Sequence, residues 1–410
     1  MYYKKLFILF IFVLSQISCA FAALNLTLTQ GMQSAIPIDI NDFNGQNDQF
    51  ESIANVIRQD LKNSGQFTLT DNPSRATAVL SGEIQNAGGS FKIEFSLKNS
   101  YGNHNQQVLL NKEFSKVSGK DFRRLAHHIS DLVFQKLTGQ RGVFSTKITY
   151  VLVRDQGKYP YSLEVADYDG ANARQLVASN APLMSPDWSP DGRKIAYVSL
   201  SNDQAKIYVV NVASGGQSLI SQFPGINGAP HWSPDGSKLA LVLSKTGYAK
   251  IYIDRSGSMQ QITDGMAIDT EPNWSPDGKS LVFTSNRGGT PQIYQINLAS
   301  RDIQRVTFDG DYNTTASFTP DGQKLIVLHR SSGGYNIAVQ DLASGGMNVL
   351  TNNGFCSSPS IAPNGQMIIY AETIGQQNQL AMISVDGKIK INLPSPDGSV
   401  QEPAWSPFLK

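Results

Sequence analysis

The chain has 410 residues, of which 40% are hydrophobic, and this is enough apolar material for two domains of ordinary size. Its formal net charge of +1 argues against the strongly basic surface that binding to nucleic acid or anionic lipid requires. One of the two cysteines lies in the N-terminal leader, so an intramolecular disulfide is excluded once the leader is removed, and we expect Cys356 to be a small buried residue.

Residues 1 to 22 have the order of a secretory signal peptide: two lysines, the apolar run LFILFIFVL, and small residues ending at Ala22. We expect cleavage after Ala22, which lowers the net charge to about −1 because the leader takes two basic residues and no acidic ones. A lipid anchor on Cys19 is the alternative, but Gln16 stands where such sites prefer leucine. No later segment reaches the roughly 18 apolar residues that a membrane helix needs.

Residues 35 to 143 have the pattern of a small α/β domain. Apolar residues at helical spacing predict two helices, within 50–61 and 122–137. Alternating apolar residues predict three strands between them, at 77–85, 91–98 and 107–114. His127 and His128 fall on the second helix without a metal-binding motif, so they are predicted to lie on its solvated face.

One sequence unit returns six times between residue 144 and the end of the chain. It consists of an anchor residue, a turn such as Ser-Pro-Asp-Gly and an alternating strand. The anchors are spaced by 42 to 44 residues and are Trp188, Trp232, Trp274, Phe318, Ile361 and Trp405. A period of this length with room for four short strands is typical of a β-propeller blade. The sequence therefore predicts an α/β domain followed by an all-β, six-bladed β-propeller over residues 144 to 410.

The last copy of the unit stops shortly after Trp405, so its other strands must come from elsewhere in the chain. Residues 147 to 151 match the second strand of the unit, and residues 163 to 165 match the third. We expect a closing blade built by strands from both ends of the repeat region, with the C-terminus as its innermost strand. Such closure leaves no free sheet edge in the ring.

The repeated residues favour a structural role over catalysis. Ser, Pro, Asp and Gly occupy the positions that a type I turn prefers, so the four turn aspartates are assigned to turn chemistry. The anchors are assigned to packing between blades because Phe318 and Ile361 occupy the same position as the tryptophans. Nucleophile-elbow, Walker and Cys-x-x-Cys motifs are missing, so we assign no catalytic residue, metal or other cofactor. The alternative is an enzyme or small-molecule binder that uses the central channel.

Function is expected where the copies differ, and these positions lie in loops that converge on one mouth of the channel. Small, polar and varied loops of this kind suit a protein or peptide ligand. The candidate rim residues are Leu183, Met184, Asn227, Gly228, Ala229, Thr270 and Glu271.

Several segments resemble the TolB family, the periplasmic propellers of the Tol-Pal system in Gram-negative bacteria. They are FQKLTG from Phe134, YSLEVADYDG from Tyr161, NGAP from Asn227, LSKTG from Leu243 and the Trp-Ser-Pro end, in order along the processed chain. The resemblance implies a monomeric, non-enzymatic periplasmic adaptor that binds Pal, a peptidoglycan-associated outer-membrane lipoprotein, at the propeller mouth. It also implies an inner-membrane partner of the TolA type, a role in outer-membrane integrity and cell division, and use by colicins during import, with other outer-membrane proteins as further partners.

The resemblance also assigns sites. Pal contacts in the family involve the loops before the second and third anchors, where Ala229 and Thr270 match and Ile226 stands where the family can carry histidine. The extreme N-terminus contacts TolA, and here the segment 23–34 keeps the apolar alternation at Leu24, Leu26 and Leu28.

Two departures fall in that segment: Ala23 and Thr29 stand where the family can carry acidic residues. An alternating, uncapped segment can add a strand to a partner's sheet edge. The alternative is that residues 24 to 28 form the first strand of the α/β domain's own sheet.

Overall fold

The computed structural model describes residues 35–47, 49–100, 106–331, 334–394 and 397–409, together with the backbone of residues 25–28. The expected leader at 1–22, Ala23, Leu24 and Thr29 lie outside the described residues. Among those described, no helix combines the length and hydropathy needed to cross a membrane.

A short first strand and a five-stranded sheet with two helices make up the N-terminal part. The elements in chain order are β1 (Asn25–Leu28), β2 (Ile36–Ile40), α1 (Ile53–Asn63), β3 (Phe67–Leu69), β4 (Ala78–Asn86), β5 (Phe91–Asn99), β6 (Val108–Val117), a 3₁₀ turn (Gly119–Asp121) and α2 (Phe122–Thr138). The sheet has the order β3-β2-β4-β5-β6, in which β2 runs parallel to β3 and β4 and the other pairs are antiparallel. The predicted helices and strands are confirmed, whereas β2 and β3 were not predicted because they are short and lack a long alternation.

Local sequence explains both helices. The Ser52 hydroxyl accepts a hydrogen bond from the Asn55 amide at the start of α1, and Gly139 ends α2 in the left-handed conformation. The apolar stripe of α1 includes Ile53 and Leu61, which are buried in one core with the matching stripe of α2 and the sheet.

The remaining chain forms six four-stranded blades arranged as a ring. Blade 1 holds β10 (Leu183–Trp188), β11 (Lys194–Ser201), β12 (Gln204–Asn211) and β13 (Gln217–Ser221). Blade 2 holds β14 (Asn227–Trp232), β15 (Leu239–Leu243), β16 (Lys250–Arg255) and β17 (Ser258–Gln261). Blade 3 holds β18 (Asp269–Trp274), β19 (Ser280–Ser285), β20 (Gln292–Asn297) and β21 (Ile303–Arg305).

The other three blades follow the same plan. Blade 4 holds β22 (Tyr312–Phe318), β23 (Lys324–Ser331), β24 (Gly334–Asp341) and β25 (Met347–Val349). Blade 5 holds β26 (Cys356–Ile361), β27 (Met367–Ile374), β28 (Gln377–Ser384) and β29 (Ile389–Asn392). The closing blade holds β7 (Lys147–Val153), β8 (Tyr161–Asp167), β9 (Arg174–Ser179) and β30 (Ser399–Trp405).

The ring closes as predicted. The closing blade has the order β30-β7-β8-β9, so the C-terminal strand is innermost and the other three strands precede the repeats. In this pairing Trp405 lies opposite Ile148 and Ser399 lies opposite Val153.

The turn and anchor assignments are also confirmed. In the first turn the Gly192 amide donates to the Ser189 carbonyl at 2.8 Å, and Gly192 has a φ of +69°, which glycine adopts without strain. The Ser189 hydroxyl donates to Asp191 at 2.6 Å, and this bond lowers the pKa of Asp191. The Trp188 indole donates to the Ala404 carbonyl in the neighbouring blade at 3.2 Å, so the anchor joins two blades.

β1 pairs with the propeller and not with the sheet of the α/β domain. It pairs antiparallel with β29 at the outer edge of blade 5, with Leu26 opposite Ile391 and Leu28 opposite Ile389. The interpretation that it joins the α/β domain's own sheet is therefore wrong. The physical reason is that β29 offers an unpaired outer edge to an extended segment.

Candidate functional site: the mouth of the propeller

The ring has two faces that differ in their loops. The turn face carries the turns between first and second strands, such as 189–192. The mouth face carries the loops that enter each first strand and the turns between second and third strands. These two loop sets meet because Leu183, which begins β10, pairs with Ser199 near the end of β11.

The predicted rim residues fall into two groups. Leu183 and Asn227 are 1% and 0% exposed, so they cannot touch a partner directly, and their assignment as contacts is corrected. The others are half-buried at the mouth and available in part: Met184, Gly228, Ala229, Thr270 and Glu271. Leu183 was misassigned because its side chain packs in the core of its blade, and Asn227 because its side chain hydrogen-bonds back to its own loop.

Exposed apolar side chains at the mouth form a feature that sequence reasoning missed. Met266 is 79% exposed, the highest value among the exposed large hydrophobic residues described. Other exposed apolar residues in the mouth loops are Ile226, Tyr248, Ile268, Phe308 and Phe355. Comparing the residue just before each first strand would have revealed part of this set, because Ile226, Ile268 and Phe355 share that repeat position.

Each first strand carries a β-bulge three residues before its anchor. The bulged residue has a φ between +44° and +55°, which is unusual for residues with a side chain. The six residues are Ser185, Ala229, Glu271, Thr315, Ser358 and Glu402. Because the same position is strained in all six blades, the bulge is a constant feature of the channel wall.

Two bulged glutamates connect neighbouring blades. Glu271 accepts from the Thr315 amide at 2.9 Å, from the Thr315 hydroxyl at 3.0 Å and from Thr284 at 2.7 Å. Glu402 accepts from the Ser185 amide at 3.2 Å, and burial raises the pKa of Glu402. The Glu271 carboxylate is therefore already bonded within the fold, where it fixes the rim.

The six bulged residues and the inner-strand residues that follow them line a cavity of about 400 Å³ in the channel. Asp187 accepts from the Trp232 amide of the next blade at 2.7 Å, and its carboxylate lies 3.6 Å from His231. Burial raises the pKa of Asp187, while His231 opposes the rise. These side chains hold adjacent blades together at the channel wall.

A buried polar residue at the start of each of three inner strands supports the mouth loop above it. Asn227 donates to the Phe223 carbonyl at 2.6 Å and accepts from the Phe223 amide at 2.9 Å. Asn313 donates to the Asp309 carbonyl at 2.8 Å. In blade 3 the equivalent residue is Asp269, which is charged and fully buried.

Asp269 is neutralised by two cations. Its carboxylate binds the Lys250 ammonium at 3.0 Å and the Arg287 guanidinium at 2.9 Å. Lys250 is itself buried and also donates to the carbonyls of Asp264 and Ala267, which begin and end the loop that carries Met266. A buried charge must be paired in this way, so the triad fixes the loop next to Thr270.

A second polar cluster lies at the turn face, where the α/β domain meets the closing blade. Asp60 accepts from the Tyr168 hydroxyl at 2.7 Å and is 2.9 Å from His127 Nδ1, while Arg123 pairs with Asp169. His127 is only 2% exposed, so the prediction that it is solvated is wrong. That side of α2 faces the propeller, and a pattern within the helix cannot reveal it.

This cluster includes three residues whose possible metal-ligand atoms lie within 4.8 Å of one another: Asp60, His127 and Asp169. Asp60 already accepts two hydrogen bonds, and the Arg123 guanidinium bound to Asp169 would repel a cation. Burial disfavours a charged His127, but the carboxylates of Asp60 and Asp169 outweigh it and raise the pKa of His127. We therefore assign the cluster to domain docking.

The expectation for Cys356 is confirmed. It is buried, it begins β26, and it is the free cysteine of the described residues. Burial raises the pKa of its thiol, which disfavours the reactive thiolate.

Two protein-family models match this chain. The model of the TolB β-propeller domain matches residues 134–409, and the model of the TolB amino-terminal domain matches residues 24–77. The chain belongs to the TolB family of the Tol-Pal system. The Tol-Pal system protein TolB of Legionella pneumophila is 48% identical over 404 residues, covering 94% of this chain and 96% of that protein.

Further relatives agree over the whole length. The Coxiella burnetii TolB is 48% identical over 429 aligned positions, covering 98% of both chains. The crystal structure of TolB from Acinetobacter baumannii superposes with a TM-score of 0.86 at 36% identity, covering 94% of this chain and all of that one. The α/β domain and the propeller are thus both features that this chain shares with TolB proteins.

Proposed function

We propose that this protein is a non-enzymatic periplasmic adaptor, whose propeller mouth binds a Pal-type peptidoglycan-associated lipoprotein of the outer membrane. The observation that carries the proposal is the exposed apolar surface at the mouth of a TolB-family propeller, where Ile226, Met266 and Ile268 lie in the loops that lead to Ala229 and Thr270. Exposed apolar side chains rimmed by polar residues are typical of protein-binding surfaces. The rim loops are held by buried polar residues, which favours binding without a large rearrangement.

The second part of the proposal concerns the N-terminal segment, residues 23–34, as the site for a TolA-type inner-membrane protein. The support is that β1 pairs through its backbone with a single strand, β29, at a sheet edge. A strand held by one edge can exchange that edge for the edge of another protein. Through both contacts the protein would support outer-membrane integrity and constriction during cell division, and colicins would use it for import.

Binding of the processed chain, residues 23–410, to the soluble domain of the Pal-type lipoprotein from the same bacterium tests the first part. Thr270→Arg places a bulky charge on the rim and should abolish binding while leaving the melting temperature unchanged. Gln323→Arg is the matched control, because Gln323 is exposed in a turn on the opposite face. Equal affinity of Thr270→Arg and the parent would contradict the placement, and no binding by the parent would shift the assignment to the channel as a small-molecule site.

Deleting residues 23 to 31 tests the second part. The shortened protein should bind the lipoprotein domain but lose binding to the soluble part of the TolA-type protein. Retained TolA binding would refute the assignment, and loss of both partners would show that the two sites are not separable.

A further inference from the structure

A cluster of aromatic and cationic side chains occupies the mouth at blade 4 and at the loop that leads to blade 5. We call it the aromatic sector, and it consists of Tyr312, Arg330, Tyr335 and Phe355. Phe355 is 65% exposed, which is unusual for phenylalanine.

Arg330 lies at the centre of the sector. Its guanidinium carbon lies 5.1 Å from the ring centroid of Tyr312 and 5.9 Å from that of Tyr335. The two tyrosine rings pack edge to face with centroids 5.7 Å apart, so the cation rests on an ordered surface. Arg330 is exposed and, within the described part of the chain, has no carboxylate within 4 Å, although Asp309 and Asp311 lie on the adjoining loop.

Backbone contacts fix the sector in advance of binding. The Tyr335 amide donates to the Gly354 carbonyl at 2.9 Å, and the Thr373 amide donates to the Phe355 carbonyl at 3.0 Å. Gly334 has a φ of +107°, and a Cβ there would lie 2.5 Å from the Gly354 carbonyl oxygen. The loops of blades 4 and 5 are therefore in direct contact, which holds Tyr335 beside Phe355.

The sector continues the rim that carries Thr270 and Glu271. Tyr312 begins β22, and Glu271 binds Thr315 in that same strand. Burial raises the pKa of Tyr312, Tyr335 and Glu271 add to the rise, and Arg330 opposes it. Tyr312 thus lies within the electrostatic reach of both the glutamate and the arginine.

We propose that the aromatic sector is a second subsite of the mouth, which takes a carboxylate-bearing, apolar segment of the same protein partner. The proposal rests on the proposed function of the rim. An arginine that lies against two half-buried tyrosine rings, beside an exposed phenylalanine and without a carboxylate partner among the described residues, has the composition of an interface anchor. The planar guanidinium matches a carboxylate through two parallel hydrogen bonds, and Phe355 would cover the apolar part of the segment.

The test measures affinity for the soluble domain of the Pal-type lipoprotein at two salt concentrations. Arg330→Glu should weaken binding at least about tenfold and reduce its salt dependence, because a favourable charge pair becomes repulsive. Arg330→Lys should weaken binding less, since lysine keeps the charge but loses the fork. Phe355→Ala should weaken binding severalfold without changing the salt dependence. Arg193→Glu, in an exposed turn on the opposite face, is the matched control and should bind like the parent.

The outcomes separate this inference from the proposed function. If Thr270→Arg abolishes binding while Arg330→Glu and Phe355→Ala bind like the parent, the rim assignment stands and the subsite is rejected. If the parent itself does not bind, both are rejected. If Arg330→Glu unfolds, Phe355→Ala and Arg330→Gln replace it, provided that their melting temperatures match that of the parent. Weaker binding by these variants supports the subsite, and binding equal to that of the parent rejects it.

Discussion

The two faces of the propeller are built on the same strands but use their loops differently. On the turn face the loops are nearly identical: Asp191, Asp235, Asp277 and Asp321 each accept a hydrogen bond from the Ser or Thr two residues earlier. On the mouth face the loops vary in length and carry exposed apolar side chains. Repetition therefore marks the residues that make a blade, and divergence marks those available to a partner.

The turn face has a docking role as well. Tyr168 and Asp169 follow β8 on this face and bind Asp60 and Arg123 of the α/β domain. Asn364, in the turn of blade 5, donates to the Arg141 carbonyl at 3.1 Å. One face thus holds the neighbouring domain.

The largest expected effect comes from opening the ring that separates the two faces. Deleting residues 401 to 410 removes most of β30, which pairs with β7 and carries the anchor Trp405. The inner edge of the closing blade would be exposed, and cooperative unfolding of the propeller should be lost. Thermal unfolding followed by near-ultraviolet circular dichroism checks this, and a sharp transition at the parental temperature would contradict the closure.

The second-largest effect is expected at the buried Lys250–Asp269 pair, which holds a loop of the mouth by charge, whereas the turns are held by hydrogen bonds. Lys250→Met removes the buried cation that pairs with Asp269 and leaves only the partly exposed Arg287, so the free energy of unfolding should fall by up to about 3–5 kcal/mol. The double variant Lys250→Met/Asp269→Leu should recover a large part of this loss, because no buried carboxylate remains. Urea unfolding of the parent and both variants gives the free energies, and a single variant as stable as the parent would refute the support role of Lys250.

A pH-dependent effect is expected at the turn face. The raised pKa of His127 means that its ion pair with Asp60 stabilises the fold fully below the unfolded value of about 6.5. This stability is lost as the pH rises through the folded-state pKa. The parent should therefore lose stability relative to His127→Gln as the pH rises from 6 to the alkaline side of that pKa.

Urea unfolding at several pH values measures that difference. Burial lowers the pKa of His128 and of His329, but both residues are present in parent and variant, so their contributions cancel. Parallel pH profiles for the two proteins would contradict the assignment.

Whether a feature could be predicted from the sequence depends on how far apart in the chain its contacting residues lie. The blades, their turns and the closing strand depend on local patterns that recur every 42 to 44 residues, so they were predicted correctly. The burial of His127 and the docking of β1 on β29 depend on contacts between distant parts of the chain, which no local pattern encodes. At the rim the loops were located correctly, but Asn227 was taken for a surface residue because its hydrogen bonds within the loop leave no sequence signal.

The smallest effect is expected for a single turn. Asp277 in blade 3 accepts from the Ser275 hydroxyl at 2.6 Å and from the Lys279 amide at 3.0 Å, and it is exposed. Asp277→Ala should lower the free energy of unfolding by less than about 1 kcal/mol and leave lipoprotein binding unchanged. Reduced affinity without reduced stability would show that the turn face also contacts the partner.

The most direct measurement is hydrogen–deuterium exchange of residues 23–410 with and without the soluble domain of the Pal-type lipoprotein. The proposed adaptor function predicts slower exchange in the mouth loops, around residues 225–229, 264–271 and 353–356, and unchanged exchange in the turns at 189–193, 233–237 and 275–279. Protection of those turns with no change at the mouth would contradict it.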